Sequence, residues 1–157
     1  MATFSTANRS TATVTAPVDA VWDVLTDPYQ IARLTPFLHS VKEEGEHWVW
    51  QLSKVPVLGA SFSFTFRERM EFDEPHRIDF THDPAPDADE GAGVVGWYEL
   101  TPRAAGTHLE TSMEITVDLP FPGMLRPAVS TAMKGVVTLM GQRFSHNLLA
   151  HLGATTV

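Results

Sequence analysis

Between Ser40 and Asp118 the apolar residues of this chain recur at every second position, and no other feature restricts its fold as strongly. Trp48, Trp50 and Leu52 alternate with His47 and Gln51. Phe62, Phe64, Phe66, Met70 and Phe72 alternate with Ser61, Ser63, Thr65, Arg67, Arg69 and Glu71. Leu109, Thr111, Met113, Ile115 and Val117 alternate with His108, Glu110, Ser112, Glu114 and Thr116. A period of two marks strands with one buried face. Turn-forming residues separate the runs at Glu44–Gly45, Pro56–Gly59, Asp73–Pro75, Asp83–Gly93 and Ala104–Gly106. The spacing predicts strands near 40–44, 47–54, 60–72, 76–82, 94–101 and 107–117, after a first strand that ends near Ala16. Short turns make consecutive strands antiparallel neighbours. One face is apolar and aromatic and the other charged, so the sheet must cover something on one side only.

The C-terminal third supplies the cover. After Pro127 the chain holds no proline as far as Leu152, and Val129, Ala132, Met133, Val136, Met140, Phe144, Leu148 and Leu152 form an apolar stripe. A helix of that extent is about 39 Å long, and seven strands at the usual spacing span about 30 Å. The simplest packing lays the helix across the apolar face. Gly135 falls within the stripe, where it either allows close packing or leaves room for a ligand, and Gly141 is a place for the helix to bend. Two short helices precede the sheet: Pro17 starts one carrying Val18, Val21, Trp22 and Leu25, and Asp27–Pro28 caps one carrying Ile31 and Leu34. The expected architecture is α+β, a seven-stranded antiparallel sheet wrapped on a long C-terminal helix.

Composition narrows the function. The 157 residues suit one domain, 1–157, and 43% hydrophobic with 19% charged content suits a globular core. A net charge of -8 repels phosphate backbones, so nucleic acid is not an expected partner. The absence of cysteine removes disulfides, thiolate catalysis and Cys-ligated zinc. No apolar stretch is long enough to span a bilayer and no signal peptide is evident, so a cytoplasmic protein without integral membrane association is expected.

The order of elements resembles the helix-grip fold. The segment Ala16-Pro17-Val18-Asp19-Ala20-Val21-Trp22-Asp23-Val24-Leu25-Thr26-Asp27-Pro28 resembles the opening of the START-like superfamily, closest to its polyketide cyclase/dehydrase and lipid-transport branch. Pro36 and the turn Gly106-Thr107 resemble family positions too, although the family often continues with Arg where this chain has His108. The resemblance covers the whole chain and implies a curved sheet with a ligand cavity between its concave face and the helix. Members of the superfamily bind lipids, sterols, polyketides, quinones or plant hormones, and a minority are cyclases. The glycine-rich loop of the plant members is absent, since Val57-Leu58-Gly59-Ala60 holds one glycine.

Within that frame the candidate ligand-binding residues are Trp48, Trp50, Phe62, Phe64, Phe66, Glu68, Met70, Phe80, Tyr98, Met113, Val136, Met140 and Phe144. Aromatics at alternating strand positions ordinarily form core, but here core and cavity wall share a face. Glu68 occupies an inward slot between Phe66 and Met70. The more ordinary expectation is a bulge or strand end that leaves it wet, and the alternative is a polar anchor or general acid inside the pocket. His82 shares inward parity with Ile78 and Phe80. Glu68, His82 and Tyr98 are the candidate catalytic groups if the protein is an enzyme.

Metal and nucleophile signatures are missing. There is no HExxH or GxSxG, and Ser145–His146 are helix neighbours that point apart. Asp87, Asp89 and Glu90 resemble the start of a calcium loop, but Tyr98 stands where the bidentate Glu belongs. That loop, with Pro84 and Pro86, is expected to be solvated and could border a cavity mouth. No metal or other cofactor is expected. The leading expectation is non-catalytic binding or transport of a small hydrophobic ligand (lipid, quinone or polyketide-like). The alternatives are a polyketide aromatase/cyclase-type enzyme and a protein-interaction module with an unknown partner.

Overall fold

The computed structural model describes residues 2–157. The elements follow the order β1 (Ala2–Val14), α1 (Val18–Leu25), α2 (Pro28–Leu34), β2 (Leu38–Glu44), β3 (His47–Val57), β4 (Ala60–Asp73), β5 (Arg77–His82), β6 (Ala92–Arg103), β7 (Gly106–Leu119) and α3 (Arg126–Leu152). All seven strands form one antiparallel sheet in the order β1-β7-β6-β5-β4-β3-β2. The first strand is longer than its β-forming segment suggested, because Ala2 to Val14 pair residue by residue with β7.

Local chemistry places the helices as the sequence predicts. Asp27 Oδ1 accepts a hydrogen bond from the Tyr29 N–H at 3.0 Å, and Pro28 opens α2 behind that cap. The Gly106-Thr107 turn clamps the approach to α1. Thr107 is fully buried and its Oγ1 donates to the Ala16 carbonyl at 2.8 Å. Gly106, with φ 145°, brings its Cα against the Val14 carbonyl, where no Cβ would fit.

The sheet is gripped around α3. The close backbone approaches of this helix are concentrated on β1 and β3, which lie far apart in the strand order. Strands that distant reach one helix only because the sheet curls. The core divides accordingly. Trp22, Trp48, Met70, Ile78 and Leu100 pack where α1 and α2 plug one end of the concave face. Phe4, Val117, Leu119, Val129 and Met133 pack beneath the start of α3 at the other.

Three details depart from expectation. Gly135 is exposed, so its missing side chain makes no room inside. The buried line of α3 runs instead through Val129, Met133 and Leu148, which steps around the helix differently from a stripe that includes residue 135. Phe72 keeps its inward parity but sits near a strand end, so it is 45% exposed while its ring still meets Trp22 and Trp48. The third departure is a bulge in β3 between Leu52 and Val55, where Lys54 adopts φ 57°. The extra residue shifts the inward face from even to odd numbers, so Val55 and Val57 are buried.

Candidate functional site

The two packed ends leave a gap between the middle of the sheet and the underside of α3. It is a cavity of about 610 Å³, within the range of small-molecule sites. Its wall is largely apolar. Trp50, Leu52, Val55 and Val57 come from β3, Phe64 and Phe66 from β4, and Phe80 from β5. Leu109, Met113, Ile115 and Val117 come from β7, and Met133, Val136, Met140 and Phe144 close it from α3. Small polar residues cluster on one flank, where Asn8, Ser10 and Thr11 of β1 face Thr138, Gln142 and Ser145 of α3. Ser10, Thr11, Gln142 and Ser145 are exposed, so the cavity meets solvent along this flank.

Gly96 lies against the Phe80 ring, which is itself part of the cavity wall. It occupies an inward position opposite Met113, and a Cβ there would collide with the Ser112 carbonyl and the Phe80 ring. Neither obstacle is a flexible side-chain end. Gly96→Ala is therefore expected to lower the unfolding free energy by about 2 kcal/mol, as overpacking typically does. Urea denaturation of the variant checks this, and an unchanged midpoint would show that the Ser112 backbone and the Phe80 ring give way to the added methyl group.

One carboxyl breaks the apolar wall. Glu68 is only 2% exposed, and β4 stays in continuous register with Trp48 on one side and His82 on the other. No bulge lets it reach water, which corrects the expectation of a wet side chain. Its Oε2 has no hydrogen-bond partner. Burial pushes the carboxyl from 4.5 up to about 9, so it is protonated at neutral pH. Tyr98 lines the same cavity and is half-buried. Burial, and then the charge that Glu68 would carry, pushes its phenol up to about 12. The wall thus holds two neutral proton donors.

Of the candidate site residues, Trp50, Phe64, Phe66, Glu68, Phe80, Tyr98, Met113, Val136, Met140 and Phe144 line the cavity. Trp48 and Met70 do not, because they lie at the plugged end, packed in the core under α1 and α2. Phe62 packs edge-on against Phe121 at 5.9 Å instead of lining the space. His82 is also outside the lining. Its Nε2 bonds Glu90 Oε1 at 2.7 Å, and its ring fills the place a side chain on Gly93 would take. The loop from Asp83 to Gly91 does not border the cavity. Arg67 holds both of its ends, donating from Nε to the Asp83 carbonyl and from its backbone N–H to Glu90. His47 and Arg69 both bond the Asp83 carboxylate and lower its pKa. Among the described residues, no three His, Asp or Glu side chains converge as metal ligands, and no helix is long and apolar enough to cross a membrane.

The sequence profile of the family described as "Polyketide cyclase / dehydrase and lipid transport" matches residues 6–153. The chain belongs to this family. Solved structures agree on the fold of this family member. A Thermus thermophilus protein superposes with a TM-score of 0.68 at 19% identity, covering 93% of this chain and 99% of that one. A START superfamily protein from Mycobacterium smegmatis gives 0.63 at 11%, covering 95% and 97%. The Zhui aromatase/cyclase from a Streptomyces species gives 0.62 at 17%, covering 97% and 94%. Comparison with curated protein sequences found no match.

Proposed function

We propose that this protein binds a small apolar or amphipathic molecule non-covalently between the sheet and α3. The observation that carries this reading is the cavity of about 610 Å³ with a wall built mostly from aliphatic, aromatic and methionine side chains. Such a wall gains from displacing water, and Met113, Met133 and Met140 adapt to ligands of differing shape. The reading predicts that protein purified from its own host carries a cargo. Native mass spectrometry should show a stoichiometric extra mass that denaturation releases into organic solvent. A bare protein mass, with no thermal shift across lipids, quinones and aromatic ketones, would sink it.

Glu68 and Tyr98 support a second reading, an aromatase/cyclase-type enzyme that assists proton transfers in a folded poly-ketone. Both are protonated and both line the same largely apolar space. His82, turned toward Glu90, has no place in that chemistry. A protein-interaction module has less support, since such a module needs no unfilled interior.

A further inference from the structure

We propose that the outer edge of β1 pairs antiparallel with the same edge of a second copy of this chain, joining two sheets across a two-fold axis. This goes beyond the binding function proposed above and does not depend on it. β1 closes one side of the sheet and β2 the other. The two edges differ. β2 has seven residues, a register break between Leu38 and Ser40, and the exposed charges Lys42, Glu43 and Glu44 at its end. Short length, irregular pairing and charge are the means by which proteins block an edge. β1 has thirteen residues in unbroken register with β7, and no proline, lysine or carboxylate. Its one charge, Arg9, is turned along the sheet, to Glu110 at 3.4 Å and over the Trp97 ring at 5.6 Å.

Backbone direction defines what this edge offers. The Asp118 N–H donates to the Gly91 carbonyl just ahead of β6, so even residues of β7 bond toward β6 and odd ones toward β1. Through the register Val117↔Phe4, the even residues of β1 bond β7 and the odd ones point outward. Both ends of that outward row are in use. Arg126 Nη1 donates to the Thr3 carbonyl at 2.8 Å. At the other end the C-terminal residues lie antiparallel to β1, with the Val157 N–H donating to the Thr13 carbonyl and the Thr15 N–H to the Thr155 carbonyl, both at 2.9 Å. The edge therefore already accepts a strand in the antiparallel sense. Between these ends Ser5, Ala7, Arg9 and Thr11 are exposed, and among the described residues nothing bonds their N–H or C=O groups. A second copy supplies the same groups at the same spacing. Centring the pair on Arg9 would set two guanidinium groups opposite each other, and centring it on Asn8 would drive Thr3 of the second copy onto Val157. Centring it on Ala7 avoids both. A chain of net charge -8 repels its copies, so self-pairing needs an edge strand free of carboxylates, which β1 is and β2 is not. With β2 blocked in both copies, the joined sheet cannot grow further and the assembly closes at two.

Sedimentation velocity of the full chain from micromolar to millimolar concentration, with hydrogen exchange at both limits, tests this. The expected species at high concentration has twice the mass of the chain. The amides of Ser5, Ala7, Arg9 and Thr11 should exchange at least tenfold more slowly in the dimer, while those of Thr6, Asn8 and Ser10, bonded to β7, are protected at both limits. Ala7→Pro removes only an outward N–H, which an edge strand tolerates. It should weaken dimerisation at least tenfold and leave the thermal melt of the monomer unchanged. Ala7→Lys keeps every backbone donor and sets like charges opposite each other on the axis, so it should weaken dimerisation too, and it carries the test if the proline variant fails to fold. A monomer at every concentration overturns the proposal and leaves the edge to a strand from another protein. A dimer that a folded variant leaves intact overturns it as well, and so does protection gained on β2 or α3 in place of β1.

Discussion

Glu68→Gln is expected to raise the unfolding free energy of the ligand-free protein at pH 7 by about 3 kcal/mol and to flatten its pH dependence between about pH 5 and pH 9. The cause is the gap between 4.5, the ordinary value of the carboxyl, and about 9 in the folded state. Within that window the native carboxyl holds its proton and the unfolded one has released it. The unfolded state therefore binds fewer protons, and stability falls as pH rises, by about 1.4 kcal/mol per unit. The loss starts near pH 4.5, reaches about 3 kcal/mol at pH 7, and stops growing once the native carboxyl ionises near pH 9. No neighbouring charge opposes this: Tyr98 stays neutral throughout the window, and His82 is bonded to Glu90. Asp83, held below its usual range by His47 and Arg69, acts at lower pH, outside the window. For a chain of this size the gain corresponds to about 6–12 °C in Tm. Urea melts of both proteins at five pH values read the effect. Parallel stability curves would mean that Glu68 ionises freely and is wet after all.

The same residue shows where sequence reading reached and where it stopped. Parity placed Glu68 on the concave face, because side chains on a strand alternate without exception while the register holds. Parity carries no information on whether that face is wet at a given point. Wetness depends on how far the sheet curls and where α3 lies, and both are set by contacts distant in sequence. Trp48 and Met70 illustrate the same gap: they share the inward face with Trp50 and Phe66, yet α1 and α2 cover their end of it. Val55 and Val57 were hidden by the bulge after Leu52, which reverses parity with no glycine to announce it. The flank of β1 was missed for another reason. Asn8, Ser10 and Thr11 are polar and small, and they acquire a role only because β1 pairs with β7 and faces α3. The elements themselves were legible, since hydrophobic period, proline and turn residues act locally.

Val136→Trp combined with Met140→Trp is expected to abolish binding of any cavity ligand while leaving thermal stability equal or higher. The two positions lie one turn apart on α3 and both face the cavity. A tryptophan buries 150–250 Å² in a packed site, so two indoles occupy much of a space of this size. If that space exists, the new rings remove further apolar area from water, stabilising by on the order of 1–2 kcal/mol. If α3 instead packs flush on the sheet in solution, the same rings overfill a closed core and destabilise by about 1–3 kcal/mol each. The sign of the stability change thus reports on the cavity without any knowledge of its ligand. Binding loss alone would not, because an unfolded variant also fails to bind. The pair of readouts, a thermal melt and a titration on the same sample, separates the two cases. A variant that melts lower than the wild type would remove the physical basis for a ligand between sheet and helix.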